Sequence, residues 1–342
     1  MATNSHINPN IKRKKEALNV EQLFNELQSG QVSALSRAIT LVESKASGDS
    51  AFAKAVLQQA LPYSGTSFRL GITGVPGVGK STFIESLGRQ LIARGKKVAV
   101  LAIDPSSNIS RGSILGDKTR MEELVKSDQA FIRPSPAGTT LGGVARKTRE
   151  AIILCEAAGY DFIIVETVGV GQSETAVHSM TDFFLLLKLA GAGDDLQGIK
   201  RGIMEMADAI IINKADGNNQ IAAKHACREF KNAVHLMPDK DHGWPTQVLT
   251  CSGLNNVGIK EVIEEIENYT AHSKANKSFI KKRHIQELYW FHQTVEDAIT
   301  SNFYNRQEVI SKLAVLEKEV LSKKKSPFDA ASELLGLWSF KK

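Results

Sequence analysis

Cysteine is scarce: Cys155, Cys227 and Cys251 are odd in number and widely spaced, which rules out a disulfide framework. Each lies in an apolar or helical-looking stretch, so reduced thiols in a reducing cytoplasm are expected. No apolar run reaches the roughly 18 to 20 residues that span a bilayer, and the polar start Met1 to Asn10 lacks the apolar core of a signal peptide. A soluble, cytoplasmic protein is predicted, with no membrane partner. Aromatic residues are only 6% of the chain, and no aromatic-rich RNA motif, zinc-finger spacing, C-x-x-C pair or His-rich tract is found, so no nucleic-acid partner is expected. No internal repeat or low-complexity tract is visible.

What is present is 342 residues with 42% hydrophobic content, enough for one α/β domain with helical additions. The net charge of +6 is uneven, because residues 274–342 hold 13 Lys/Arg against 8 Asp/Glu and so contribute +5 of it. That tail reads as a solvated helical surface, and Lys12, Arg13, Lys14 and Lys15 read as part of a mobile leader.

From residue 68 onward, short apolar runs alternate with amphipathic stretches, the pattern of parallel strands joined by helices. Strands are predicted at 68–73, 97–103, 161–166, 182–188, 208–212 and 246–250, and helices at 80–94, 140–158, 199–206 and 219–235, with Gly95 and Gly159 as stops. Residues 20–61 read as helical before the sheet, and 257–272, 282–301 and 305–323 after it. The stretch 104–143, rich in Gly, Ser, Thr and Pro, reads as a long loop, either functional or disordered. The fold class is α/β, an open, mostly parallel P-loop sheet flanked by helices. Its divisions are an N-terminal leader and helical extension at 1–64, a central sheet domain at 65–272 and a C-terminal helical extension at 273–342.

The strongest motif is Gly74-Val75-Pro76-Gly77-Val78-Gly79-Lys80-Ser81, followed by Thr82: G-x-x-x-x-G-K-S directly after a strand and before a helix. Its glycines let backbone N–H groups converge on phosphate oxygens, helped by the N-terminal dipole of the helix. Lys80 is expected to reach the β- and γ-phosphates, and Ser81 to offer its hydroxyl to Mg²⁺. Asn213-Lys214-Ala215-Asp216, at a strand end, matches the guanine signature N-K-x-D. The Asp216 carboxylate accepts from the guanine N1–H and N2 amino group, a donor pair that adenine lacks. Asn213 is expected to brace the loop, Lys214 to lie along the base, and the backbone N–H groups of Ser252, Gly253 and Leu254 to reach guanine O6. Asp104 and Glu166, at strand ends, complete the expected metal set with Ser81. Gly169 is the expected γ-phosphate sensor, and Asp117 approaches the metal or the attacking water.

The segments GVPGVGKST, IDPSS, GSILGDKTRM, ETVGVGQSE, AGAGDDLQGIK and NKAD together resemble the MeaB/ArgK/MMAA family over about residues 65 to 270. The resemblance implies a GTPase chaperone that gates adenosylcobalamin loading onto, and protection of, an acyl-CoA mutase, with methylmalonyl-CoA mutase as the common partner. It also implies a homodimer formed through C-terminal helices, Mg²⁺ at Ser81, Asp104 and Glu166, and a coupling loop in which Gln197 and Lys200 link the partner to hydrolysis. The adenosyltransferase serving the mutase is a further candidate partner. No D-x-H-x-x-G segment is present, so cobalamin is expected on the mutase. Two departures stand out: Leu189-Ala190-Gly191 replaces Leu-Pro-Gly, and Gly253 replaces Ala. Alternatives are a metal-delivery GTPase, for which the spacings of His225, His235 and His242 are unsuitable, and a transport-system protein kinase, for which no phosphoacceptor-binding site is evident.

Overall fold

The computed structural model describes residues 19–44, 46–103, 121–134, 141–167, 173–190 and 201–338. Seven strands form one sheet: β1 (Phe68–Gly74), β2 (Val98–Ile103), β3 (Ala130–Arg133), β4 (Phe162–Thr167), β5 (Phe183–Leu189), β6 (Ala209–Asn213) and β7 (Gln247–Thr250). Their order is β3-β2-β4-β1-β5-β6-β7, and every pairing is parallel. β1, β2 and β4–β6 are buried on both faces, which is why they read as unbroken Val, Ile, Leu and Phe. Alternation survives in where those side chains go. Phe162 and Ile164 join the core under α4 (Lys80–Ala93) and α10 (Ile259–Ala275), whereas Ile163 and Val165 join the opposite core.

That opposite core packs against α6 (Leu141–Ala157), α7 (Ser173–His178), α8 (Arg201–Met206) and α9 (Gln220–His235). Outside α6 lie α1 (Val20–Gln28), α2 (Val32–Glu43) and α3 (Ser47–Ala60), so the stretch expected to be helical before the sheet is three helices. Asn19 caps α1, its side-chain oxygen accepting from the Glu21 and Gln22 N–H groups at 3.0 and 3.4 Å. Gly95 and Gly159 end α4 and α6 as expected, in the left-handed region at φ +79° and +84°.

The expectation of one long loop at 104–143 is corrected within its described part. The short helix α5 (Glu122–Val125) and edge strand β3 lie there, while α6 begins at Leu141, close to the expected start at 140. Four residues beside β2 complete the sheet edge, too short a run to show a period of its own. Beyond Gly169, the expected γ-phosphate sensor, residues 173–178 are the helix α7.

After the sheet come α11 (Ser278–Tyr304), α12 (Gln307–Leu321) and α13 (Pro327–Leu335). α13 was not foreseen, although Ser326-Pro327 and Asp329 mark its start: Ser326 Oγ accepts the Asp329 N–H at 3.1 Å. α10 continues to Ala275, two residues past the sequence-based start of the C-terminal extension at 273. No helix of the described residues is long and apolar enough to cross a membrane.

Buried ion pairs tie the strand starts to α6 and to this C-terminal region. Arg69 holds Glu156 of α6 through Nε and Nη2 at 2.8 and 2.9 Å, and Ser67 Oγ donates to the same carboxylate at 2.6 Å. Arg283 of α11 donates to Asp182 at 2.7 and 2.8 Å, to the Ser67 carbonyl at 2.6 Å and to the Gly65 carbonyl. Burial pushes the Glu156 carboxyl up, but the bonds from Arg69, Ser67 and Gly65 outweigh it and leave it below the usual carboxylate range. α11 is thus fastened to the sheet through its N-terminal half.

Candidate nucleotide site

The chain leaves β1 toward β2 and β3, returns through β4, and then crosses to β5, β6 and β7 on the other side of β1. Such a reversal opens a crevice at the C-terminal ends of the strands, and the segment 74–81 lies there between β1 and α4. Gly77 and Gly79 have φ +79° and +91°. A Cβ at Gly79 would also stand 2.8 Å from Asn213 Nδ2, and one at Gly74 would stand 2.6 Å from the Leu187 carbonyl oxygen. Only glycine lets the backbone come this close to its neighbours. Lys80, buried in the first turn of α4, donates from Nζ to the Gly74 carbonyl at 2.8 Å. Ser81 and Thr82 follow in the same turn, half-buried and exposed.

Asn213, at the end of β6, is 2% exposed, so both ends of its amide need partners. Nδ2 donates to the Val78 carbonyl at 2.9 Å and approaches that of Gly79 at 3.4 Å. Oδ1 accepts from the Gly253 N–H at 3.2 Å and from the Cys251 thiol at 3.3 Å. One side chain therefore joins the loop after β1, its own loop and the loop after β7. Lys214 sits in the left-handed region at φ +57°, its carbonyl held by Asn219 Nδ2 at 2.8 Å. Its stem passes close to Gly79, with Cε 3.6 Å from where a Cβ there would lie.

Asp216 is half-buried, and its Oδ2 accepts from the Ser252 hydroxyl. This contact was not foreseen. The Ser252 N–H goes to the Val257 carbonyl at 2.9 Å and the Gly253 N–H to Asn213 Oδ1 at 3.2 Å. The departure at Gly253 has a steric reason, since a Cβ there would lie 3.0 Å from the backbone N and Cα of Phe83. Burial, with Asp216 adding to it, pushes the Cys251 thiol up to about 12, so it donates to Asn213 as a neutral thiol.

Glu166 lies one residue before the end of β4, buried and in register with Ile72 and Ala102. Next to it, Thr167 and Thr73 share a hydroxyl hydrogen bond at 2.9 Å beneath the Gly-rich loop, another pair the sequence did not single out. Asp104, Asp117, Gly169, Gln197 and Lys200 lie outside the described residues. Of the histidines weighed as metal ligands, His225 pairs with Glu229 at 3.3 Å and His242 Nδ1 accepts the Trp244 N–H at 3.2 Å. Among the described residues, no three His, Cys, Asp or Glu converge as a metal site would require.

A parallel sheet in this order, with a glycine-rich turn and lysine between β1 and the next helix, defines a P-loop nucleotide hydrolase. The family described as "Methylmalonyl Co-A mutase-associated GTPase MeaB" matches residues 35–308. The chain belongs to that family. It is 46% identical to "GTPase ArgK" of Escherichia coli over 83% of this chain and 86% of that one. It is 41% identical to "Methylmalonic aciduria type A homolog, mitochondrial" of Mus musculus, over 94% and 80%. A solved structure described as "LAO/AO transport system kinase" superposes with a TM-score of 0.75 at 36% identity, covering 94% of this chain and 98% of that one. The protein is a GTPase, and its fold implies a guanine nucleotide as substrate.

Proposed function

We propose that this GTPase is a chaperone of an adenosylcobalamin-dependent acyl-CoA mutase, methylmalonyl-CoA mutase first among the candidates. In this reading it uses GTP to gate cofactor loading and protection, and cobalamin resides on the mutase. The observation that carries the nucleotide half is the Asn213 amide, which locks the phosphate turn to the Asp216 loop and the 252–254 loop. The matched family and the name of the mouse relative support the partner half.

Residues 74–82 wrap the triphosphate with backbone N–H groups, and Lys80 exchanges the Gly74 carbonyl for phosphate oxygens. Ser252 fixes one oxygen of Asp216, so that the carboxylate meets the guanine N1–H and N2 amino group without reorganising. Lys214 lies along the base and Leu254 offers its N–H toward O6. Ser81, Asp104 and Glu166 would hold Mg²⁺; the hydroxyl and the carboxylates are the hard oxygen donors it prefers. When bound, that ion neutralises charge on the β- and γ-phosphates. Gly169 senses the γ-phosphate, Asp117 positions the attacking water, and Gln197 with Lys200 stabilises the transferring group once the mutase engages.

A homodimer through the C-terminal helices belongs to the same reading. α11 exposes Ile285, Leu288, Phe291, Val295 and Ile299 along 27 residues, with Phe291 61% exposed, an apolar stripe that a second copy would cover. The test is phosphate release from GTP with and without purified methylmalonyl-CoA mutase, beside transfer of adenosylcobalamin to that enzyme. Faster hydrolysis together with nucleotide-dependent transfer is expected. A rate and a transfer both indifferent to the other protein would end the proposal.

A further inference from the structure

A cavity of about 1340 Å³ opens at the opposite end of the sheet from the nucleotide site, beneath the starts of β6 and β7. It is larger than the roughly 300–1,000 Å³ of common ligand sites. Asp208, on its floor, precedes β6, while Asn213 ends that strand, and five residues of strand separate the two sites by roughly 16 Å.

The floor carries an uneven charge. Asp208 is 1% exposed and receives Lys240 Nζ at 3.1 Å and Lys282 Nζ at 3.5 Å, so two ammonium groups face one carboxylate. Lys240 also donates to the Ala207 carbonyl and Lys282 to the Asp182 carbonyl, which leaves each ammonium a third N–H. The nearby imidazoles do not alter the balance: burial, then Lys282, holds His178 neutral, down to about 4, and burial lowers His242. Lys231, Lys281, Glu205, Asp239 and Asp241 also line the cavity but are exposed, so among its buried and half-buried groups the charge excess is positive. The walls above it are apolar, formed by Met206, Val234, Met237, Ile285 and Tyr289.

We propose that this cavity is a second ligand site, which takes an amphipathic organic anion with its carboxylate or phosphate against Lys240 and Lys282 and its apolar body along Val234, Ile285 and Tyr289. Its occupant touches His178 and Ser179 at the end of α7 and Gln286 of α11, whose Nε2 bonds the Thr181 carbonyl at 2.9 Å. The ligand thus sits between the helix that follows the 168–172 segment and the helix bearing the exposed apolar stripe.

The test is calorimetric titration of the full chain, saturated with GDP, using 4-phenylbutyrate, phenyl phosphate and 4-phenylbutylamine. At least one of the two anions should bind at one site, and the amine should not. Lys240→Met should weaken anion binding by roughly tenfold, the loss of one charge-assisted hydrogen bond. Gly202→Leu is the second variant, because Gly202 lines the cavity and a Cβ there meets nothing within 4 Å, so the added side chain takes up cavity space without a clash at its root. It should weaken binding while the thermal midpoint stays within a few degrees of the parent's. Binding of the amine as tight as that of the anions, anion binding unchanged in Gly202→Leu, or no binding of either anion would each overturn the site.

Discussion

The two ends of the sheet are built from different materials. At the C-terminal end the contacts are backbone groups, one buried amide and short hydroxyl bonds, with Lys80 resting on a carbonyl. At the N-terminal end they are buried ion pairs: Arg69 with Glu156, Arg283 with Asp182, and Asp208 with Lys240. Paired charges withdrawn from water tolerate little displacement, so they hold the strand starts and α11 in one arrangement. The end that binds nucleotide is therefore joined mainly by neutral groups, and the end that bears the frame mainly by paired charges.

The contrast is broken most directly at the lysine. Lys80→Ala should lower GTP hydrolysis by roughly a hundredfold or more, read as phosphate release, and should abolish binding of a fluorescent GTP analogue while leaving the thermal midpoint almost unchanged. Full affinity in that variant would refute the phosphate cradle. The converse experiment is Glu156→Ala, which strands Arg69 in the interior. It should cost about 3–5 kcal/mol in urea unfolding while the folded fraction keeps its turnover. An unaltered unfolding midpoint would show that the lower network does not bear the frame.

Asp216→Ala sharpens the upper half of the comparison. With two base contacts gone, the preference for GTP over ATP should fall by roughly a hundredfold in competition binding. An unchanged preference would move base selection elsewhere. The mildest effect concerns acid. Burial alone would raise the Asp208 carboxyl, but Lys282, Lys240 and the Phe184 N–H bring it from 3.8 to about 2. Because the folded value is the lower one, the stabilisation is full above pH 3.8 and is lost as pH falls through about 2. It amounts to about 2 kcal/mol, and Asp208→Asn should flatten that limb of the acid-unfolding curve. A limb of the same slope in the variant would assign the acid response to other carboxylates.

Much of the upper end was legible in the sequence because its parts are contiguous. Residues 74–81 and 213–216 each carry their chemistry within a few positions, and each stands at a strand end that hydrophobic runs had located. The contacts between those parts were not legible. Asn213 and Val78 are 135 residues apart, Ser252 and Asp216 are 36 apart, and no local period relates them. β3 and α5 escaped for another reason: four residues each are too few to register against a polar background.

By itself the sequence determined six of the sheet's seven strands, the helix stops at Gly95 and Gly159 and the turn for phosphate, since all of these follow from local backbone preference and short-range periodicity. Tertiary structure alone decided that Asn213 would bind the loops after β1 and β7, that Ser252 would hold Asp216, and that Arg283 would meet Gly65 from 218 residues away. Burial is the reason, because a polar group removed from water must find a partner, and only the completed fold brings that partner within reach.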